Sequence, residues 1–314
     1  MNKIADVPAN YQQTKRPYLI MLLFLILLTA GCSSKGVAYT DGVVARLDHN
    51  GTHYSYVKWS PDGEQIAYIQ DRNLWIKNMK SGKSRKLVSG SSISHAAWMN
   101  ADQIAYFTTT DSNSLQGELG AVTLDSRNKT ILFKNIAWFN TLSIHNQIAY
   151  LETGKQGVLK LNLSESLSEP DTLDPNLTNG SEFVLSPDGS KLLYLEKTEE
   201  RSINGIFLKQ IKIYNINERA TKQVQLSKPF EVIYSYCWSA DGSHLAFAAQ
   251  YPGQLPNLYI YKIDSKAAPI MLPFPENAGY MAWSPTQNQI VYTTVGQPSG
   301  NEIRVIDIPD ELLQ

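Results

Sequence analysis

The chain has 314 residues, of which 43% are hydrophobic and 18% charged, and its 28 basic and 29 acidic side chains give a formal net charge of −1. This length allows one large domain or two small ones with a sizeable buried core. A near-neutral balance without a long basic run lacks the electrostatic footprint of nucleic-acid binding, so we expect no DNA or RNA partner.

The N-terminal segment has the pattern of an export signal. Lys15 and Arg16 are followed by an almost wholly apolar run from Tyr18 to Ala30. These 13 residues are fewer than the roughly 20 that a membrane-spanning helix needs. The pattern therefore predicts a signal peptide over residues 1–31, which takes no part in the fold.

The residues that end this run, Leu28-Thr29-Ala30-Gly31-Cys32, resemble the lipobox of bacterial lipoproteins, although Thr29 stands where leucine is commonest. The resemblance implies that Cys32 carries a lipid anchor outside the cytoplasm, followed by a tether over residues 32–41. Ser33 resembles the sorting signal for the outer membrane; in a host with one membrane, the protein would face outward from it. An uncleaved anchor, or an ordinary signal peptide with an incidental cysteine, remains an alternative. Cys237 then has no disulfide partner and is interpreted as a buried hydrophobe.

One phrase recurs six times after the signal peptide, in the form Trp-Ser-Pro-Asp-Gly followed by an alternating apolar run. The copies begin at Trp59, Trp98, Leu142, Leu185, Trp238 and Trp283, and the aliphatic residues that follow are Ile66, Ile104, Ile148, Leu192, Leu245 and Ile290. The intervals of 38, 44, 44, 53 and 45 residues match one four-stranded propeller blade per repeat. Proline, aspartate and glycine reverse the chain between two strands, so Asp62, Asp188 and Asp241 are interpreted as structural.

Further strand-like runs complete most of the blades. Examples are 73–78 and 85–88 in the first blade, 211–214 and 224–226 in the fourth, and 258–261 and 270–272 in the fifth. The last blade has only 302–307 after its first pair, so its fourth strand is missing from the C-terminus. Residues 42–47 can supply it and leave no exposed edge. We therefore predict an all-β, six-bladed propeller over residues 42–314, with four-stranded antiparallel blades, closed by the N-terminal strand.

This repeat resembles the WD40-like propeller repeat of the TolB family and of the propellers attached to prolyl oligopeptidase-type peptidases. The resemblance covers about residues 40–310 and implies an interaction module. Unlike TolB, the chain is expected to have no additional N-terminal domain, because about ten residues separate Cys32 from the first strand. It is also expected to lack the peptidase domain, since no Gly-x-Ser-x-Gly elbow occurs.

The sequence offers no catalytic, metal or cofactor motif. No histidine pair has helical metal-ligand spacing, and there is no phosphate loop or EF-hand. His53 and His95 are the only pair considered for a metal, and a calcium site near Asp111 or Asp171 is left open. The charged run 196–201 lies in the longest interval and predicts a solvated hairpin extension, with partner docking as the alternative.

Candidate binding residues lie three positions before the start of each repeat, where a propeller channel opens. They are Tyr56, His95, Phe139, Glu182, Ser235 and Tyr280. Pointing into the channel mouth, they would form a ring for a peptide or glycan; the alternative is that most pack between blades.

We therefore expect a monomeric, membrane-tethered binding or scaffold protein that engages an envelope protein or an extracellular ligand. The rival is a polysaccharide lyase or hydrolase acting at the channel mouth. Three or more ionisable groups within about 4–6 Å of one another there would favour the enzyme, and an aromatic ring would favour binding.

Overall fold

The computed structural model describes residues 43–48, 54–89, 92–109, 116–153, 157–165, 170–273, 277–295 and 301–314. These residues form 24 strands in six four-stranded antiparallel sheets, with two short 3-10 helices. Each sheet is one blade, and all of them belong to one compact unit, Tyr39–Gln314. The predicted six-bladed propeller is confirmed. In the part of the chain that the structure describes, no helix has the length and apolar character to cross a membrane.

The first three blades take their strands from consecutive stretches of the chain. Blade 1 consists of β2 (Tyr54–Trp59), β3 (Gln65–Gln70), β4 (Asn73–Asn78) and β5 (Ser84–Val88). Blade 2 consists of β6 (Ser92–Asn100), β7 (Gln103–Thr109), β8 (Gln116–Thr123) and β9 (Lys129–Ala137). Blade 3 consists of β10 (Leu142–His145), β11 (Ile148–Glu152), β12 (Val158–Asn162) and β13 (Asp171–Thr172).

Blades 4 and 5 follow the same order, and blade 6 differs in the origin of its outer strand. Blade 4 consists of β14 (Gly180–Leu185), β15 (Lys191–Arg201), β16 (Phe207–Asn215) and β17 (Ala220–Gln223). Blade 5 consists of β18 (Val232–Trp238), β19 (His244–Gln250), β20 (Asn257–Lys262) and β21 (Ile270–Pro273). Blade 6 consists of β22 (Ala278–Trp283), β23 (Gln289–Thr294), β24 (Ile303–Asp307) and, from the other end of the chain, β1 (Val43–Asp48).

The ring closes where β1 pairs antiparallel with β24, with Ala45 opposite Val305 and Arg46 opposite Arg304. Behind this seam, side chains of blades 1 and 6 share one buried cluster. The turn of blade 1 also approaches blade 6: Gly63 has a φ of 74°, and a Cβ there would lie 2.4 Å from Thr286 Oγ1. The positive φ favours glycine at this position, and a larger residue would also displace the Thr286 side chain.

Tryptophans of the repeat join neighbouring blades. The indole N–H of Trp59 donates to the Ala282 carbonyl across the seam, and that of Trp98 donates to the Lys58 carbonyl, both at 3.2 Å. Trp238 makes the same bond to Val184. Buried indoles need such an acceptor, so the repeat's tryptophan sets the spacing between inner strands.

The recurrent turn is a hydrogen-bonded unit. In blade 5, Ser239 Oγ donates to Asp241 Oδ1 at 2.6 Å, and the Ser243 N–H donates to the same oxygen at 3.0 Å. Ser186, Asp188 and Ser190 repeat these bonds in blade 4. Hydrogen bonds from Ser239 and Ser243 lower the pKa of Asp241 to about 2. For Asp188, burial acts in the opposite direction, but the serine bonds outweigh it and its pKa is also about 2.

These two aspartates are expected to make the propeller acid-sensitive. Their pKa values are about 2 when folded, against about 3.9 in an unfolded chain, so their stabilisation is complete above about pH 4 and is lost as the pH falls toward 2. When the pH is lowered from 6 to 2, the thermal unfolding midpoint should fall steeply for the wild type and less steeply for the Asp188→Asn/Asp241→Asn variant. Asp171→Asn, at an exposed position of β13, is the control and should leave the wild-type slope unchanged.

Two local predictions are wrong. The fourth strand of blade 4 is β17 (Ala220–Gln223) rather than 224–226. In blade 3, a two-residue turn replaces the longer one, with Asn146 and Gln147 at φ values of 47° and 61°. His145 therefore pairs with Ile148, the place that tryptophan or leucine occupies in the other blades. The predicted extension at 196–201 is present as the long hairpin of β15 and β16.

Candidate functional site

The propeller has two distinct faces. Each inner strand runs toward the turn that connects it to the second strand, so all the Ser-Pro-Asp-Gly turns lie on one side, here called the turn face. The inner strands begin on the opposite side, here called the mouth face. The connections between second and third strands also lie on the mouth face, as do the connections from one blade to the next.

A cavity of about 500 Å³ opens at the mouth face, between the starts of the inner strands. Four of the six predicted residues line it: Tyr56, Glu182, Ser235 and Tyr280. The tyrosines Tyr234 and Tyr236 also line the cavity, as do Met281 and Val295. Four tyrosines thus contribute to the wall, and the cavity volume lies in the range of sites that enclose small ligands or short chain segments.

Tyr56 and Tyr280 form one side of this wall, with ring centroids 4.9 Å apart. The Tyr56 hydroxyl donates to the Asn140 carbonyl at 3.1 Å, which ties blade 1 to the connection before blade 3. Burial raises the pKa values of both tyrosines, so both are neutral at pH 7. They can offer ring faces and hydroxyl groups to a ligand.

His95 and Phe139 are not part of the cavity wall, and the packing alternative applies to them. Both are buried, with ring centroids 4.6 Å apart. His95 Nε2 lies 3.0 Å from the Asn140 carbonyl, which can only accept, so Nε2 carries the proton and Nδ1 faces the Ser94 hydroxyl. Burial lowers the pKa of His95 to about 4. The neutral ring therefore supports Tyr56, whose ring centroid is 4.6 Å away.

Glu182 stands at the rim in an uncommon backbone conformation. Its φ is 60°, and it lies where the pairing of β14 with β15 shifts register. Tyr56, with a φ of 52°, lies at the corresponding register shift in blade 1. Left-handed backbone in non-glycine residues is rare and clusters at functional sites. The Tyr236 hydroxyl donates to the Glu182 carbonyl and holds this bend. The Glu182 side chain is 45% exposed and lies 3.5 Å from Lys209 Nζ; burial raises its pKa despite that lysine.

The structure adds Glu152, which the sequence analysis missed. This carboxylate is 1% exposed and accepts hydrogen bonds from Asn140 Nδ2 at 2.9 Å, the Thr141 hydroxyl at 3.3 Å and the Phe183 N–H at 3.2 Å. It thus joins the connection before blade 3 to the residue after Glu182. A glutamate at the end of an ordinary strand carries no sequence signal for this role.

Lys58 is the second residue that the analysis missed. It lines both the mouth cavity and a second cavity of about 310 Å³ on the turn face, so it lies at the floor of the first. Leu142, Ser143 and Val184 share this position between the two cavities. Burial lowers the pKa of Lys58.

Exposed apolar side chains concentrate on the mouth face. Of ten large hydrophobic residues exposed in the described part of the chain, three lie on outer strands, and the turns of the turn face carry none. The other seven belong to the mouth face: Trp138, Ile203, Ile206, Phe207, Leu255, Tyr280 and Val295. Apolar groups gathered on one side of a propeller are typical of an interaction surface.

Other residues considered in the sequence are not brought together. Within the described ranges, no group of three His, Cys, Asp or Glu side chains could hold a metal ion. Cys32, His53 and Asp111 lie outside the described residues. Asp171 is exposed on β13, and His244, the first residue of β19, is buried.

Comparisons with known proteins agree with this fold. The family model for the dipeptidyl peptidase IV N-terminal region matches residues 37–102. A chain of the mitotic checkpoint complex superposes with a TM-score of 0.60 at 13% identity, over 85% of this chain and 96% of that one. TolB from Acinetobacter baumannii gives 0.56 at 14%, over 81% of this chain and 63% of the TolB chain. The Swd1 β-propeller domain from Myceliophteria thermophila gives 0.53 at 14%, over 82% and 84%.

No curated protein matches the sequence. Identities this low show the fold alone. The chain is a six-bladed propeller similar to TolB and other solved propellers, a fold compatible with a binding or scaffold role.

Proposed function

We propose that this chain is an extracytoplasmic lipoprotein, anchored through Cys32, whose propeller binds an envelope protein or an extracellular ligand at the mouth face. The export signal and the lipobox resemblance support the location. The observation that carries the binding role is the tyrosine-walled cavity of about 500 Å³, surrounded on the same face by exposed apolar side chains. Aromatic residues at the centre of such a surface supply most of the binding energy in protein interfaces.

The anchor has its own test. Growth with an alkyne-bearing fatty acid should label the wild-type protein and leave Cys32→Ser unlabelled. A wild-type protein without label would refute lipid attachment.

The binding role is tested by capture from solubilised membranes with the Cys32→Ser chain as bait. Tyr280 is 37% exposed at the cavity wall, so Tyr280→Ala should reduce recovery of a specific partner about tenfold or more, as for a binding hot spot. Met271→Ala is the matched control because it removes an apolar side chain, 53% exposed, from outer strand β21. Quantitative mass spectrometry of the eluates provides the measurement.

The outcomes separate the proposal from its rival. A partner retained by the wild type and by Met271→Ala, but lost with Tyr280→Ala, supports binding at the mouth face. Equal recovery with all three baits would contradict that location. Recovery of no protein, together with binding of a defined oligosaccharide, would favour the polysaccharide-acting enzyme instead.

A further inference from the structure

Six inner-strand side chains, one from each blade, line the second cavity, here called the lower cavity, and Lys58 is the one charged member of this ring; Lys58 also lines the mouth cavity. In blade 1, the repeat's aliphatic residue, Ile66, pairs with Trp59 of the inner strand, and Lys58 is the residue just before Trp59. Every other blade has one inner-strand residue at the equivalent position. The five equivalents line the lower cavity with Lys58 and are uncharged: Ala97, Ile144, Val184, Cys237 and Ala282. Strand geometry therefore allows an apolar residue here, and the lysine is not demanded by the fold.

The Lys58 ammonium has no counterion among the described residues. It makes no hydrogen bond or ion pair with them, and the ionisable side chain that acts on it is the Cys237 thiol. Burial raises the pKa of Cys237 to about 12, so the thiol is neutral at pH 7 and cannot balance the charge. The Lys58 side chain is partly exposed to the cavities that it lines, so its amine can be reached by a ligand that enters from the mouth. An anion bound there would supply the counterion that the described residues do not provide.

We infer that the mouth cavity binds a peptide segment of a partner protein through a carboxylate, which pairs with the Lys58 ammonium at the cavity floor. This inference rests on the proposed function and specifies its ligand. A single ammonium, in a cavity that Ser143 also lines, suits one negative charge, and the carboxylate of Glu182 at the rim disfavours a doubly charged phosphate.

The surroundings favour a peptide over an acidic sugar. Between Lys58 and the rim, the wall presents Tyr280, Met281 and Val295, and aliphatic side chains such as Leu255 and Ile203 are exposed further out on the same face. Sugars require dense hydrogen-bond partners, whereas apolar side chains of a protein are complementary to such a surface. The carboxylate can come from an acidic side chain or from a chain terminus.

The test uses the full chain in detergent and an array of synthetic hexapeptides. Each peptide is made in two pairs of variants. The first pair has a free or an amidated C-terminus, and in the second pair Asp and Glu are either kept or replaced by Asn and Gln. We expect bound peptides to lose affinity about tenfold or more when the carboxylate becomes an amide, as expected for a partly buried charge pair. The first pair of variants identifies a terminal carboxylate and the second identifies a side chain.

Variants assign the effect to the lysine. Lys58→Met keeps the length of the side chain and should abolish the discrimination between acid and amide, while Lys58→Arg should retain it. Lys83→Met makes the same change at an exposed turn and should behave as the wild type. Thermal unfolding of each variant confirms that it is folded, and the arginine variant keeps the test decisive if Lys58→Met does not fold.

Acid and amide peptides that bind equally, or discrimination that survives in Lys58→Met, would overturn the inference. The proposed function would then still stand if Tyr280→Ala abolished peptide binding. Binding of an oligouronate in place of any peptide, lost with Lys58→Met, would overturn the choice of a peptide. Absence of any ligand that depends on Tyr280 would defeat both proposals.

Discussion

Replacing Val43–Asp48 with six Gly and Ser residues should lower the unfolding midpoint of the propeller by about 6–12 °C. These residues form β1, the outer strand of blade 6, which pairs with β24 along Val305 and Arg304. The lost backbone hydrogen bonds contribute about 0.5–1.5 kcal/mol each, so the free energy of unfolding should fall by about 3 kcal/mol. In a domain of this size, each kcal/mol lowers the unfolding midpoint by about 2–4 °C. Differential scanning calorimetry measures the change.

The matched control replaces β17 (Ala220–Gln223), the outer strand of blade 4, in the same way. All four of its residues are exposed, and it does not join the two ends of the chain. Its own ladder with β16 is lost as well, so we expect a shift near the lower end of that range, and the excess in the β1 variant measures the contribution of ring closure. The β1 variant should also self-associate at high concentration, because β24 then becomes an unpaired edge. Equal shifts for the two variants would mean that β1 contributes only as an outer strand and not by closing the ring.

This seam illustrates how much of the fold the sequence predicts. The last blade has only three strand-like runs, so one of its four strands is missing. Residues 42–47 precede the first repeat, just as the outer strand of one blade precedes the repeat of the next. The deduction needs only the number of repeats and the cost of an open edge. The structure agrees, with the strand at Val43–Asp48. Fold prediction succeeds here because the same local pattern is repeated six times and each copy supports the others.

The candidate ring fails in blade 3 because register is not visible in the sequence. Counting back from Leu142 selects Phe139, but the short turn at Asn146 and Gln147 makes His145 the equivalent of the tryptophan. Leu142, three residues before it, lines the mouth cavity, whereas Phe139 packs against His95. Turn length decides register, and a degenerate repeat does not reveal it.

The polar residues of the site escape sequence reasoning for a different reason. Glu152 and Lys58 lie in ordinary strand patterns, and their roles depend on partners from other blades. Phe183, whose N–H bonds to Glu152, is 31 residues away, and the Trp98 indole that reaches the Lys58 carbonyl is 40 residues away. Nothing within one repeat specifies these contacts.

Glu152→Ala should destabilise the propeller by about 3 kcal/mol and weaken binding at the mouth face as well. The buried carboxylate accepts bonds from the Asn140 amide, the Thr141 hydroxyl and the Phe183 N–H; its removal leaves the buried Phe183 N–H and the half-buried Thr141 hydroxyl without this partner, while the exposed Asn140 side chain can bond to water. An unsatisfied buried donor costs about 1–3 kcal/mol, and relaxation or entering water recovers part of the sum. Urea unfolding gives the loss of stability.

Glu152→Gln separates charge from geometry. The Thr141 hydroxyl and the Phe183 N–H share one carboxylate oxygen, so the amide oxygen of glutamine can still accept from both; the amide nitrogen is a donor and cannot replace the other oxygen as the acceptor for Asn140. We expect a clearly smaller stability loss than in the alanine variant. Glu199→Ala, on the exposed β15 extension, is the control and should remain within about 0.5 kcal/mol of the wild type.

The binding measurement then decides what Glu152 does beyond stabilising blade 3. Phe183 follows Glu182, whose left-handed backbone shapes the rim, and Asn140 accepts from the Tyr56 hydroxyl on the opposite side of the cavity. A purely structural residue would lower the unfolding free energy and leave affinity unchanged at temperatures where the variant is folded. A positioning residue would weaken ligand binding at those temperatures too, because both Glu182 and Tyr56 lose their support.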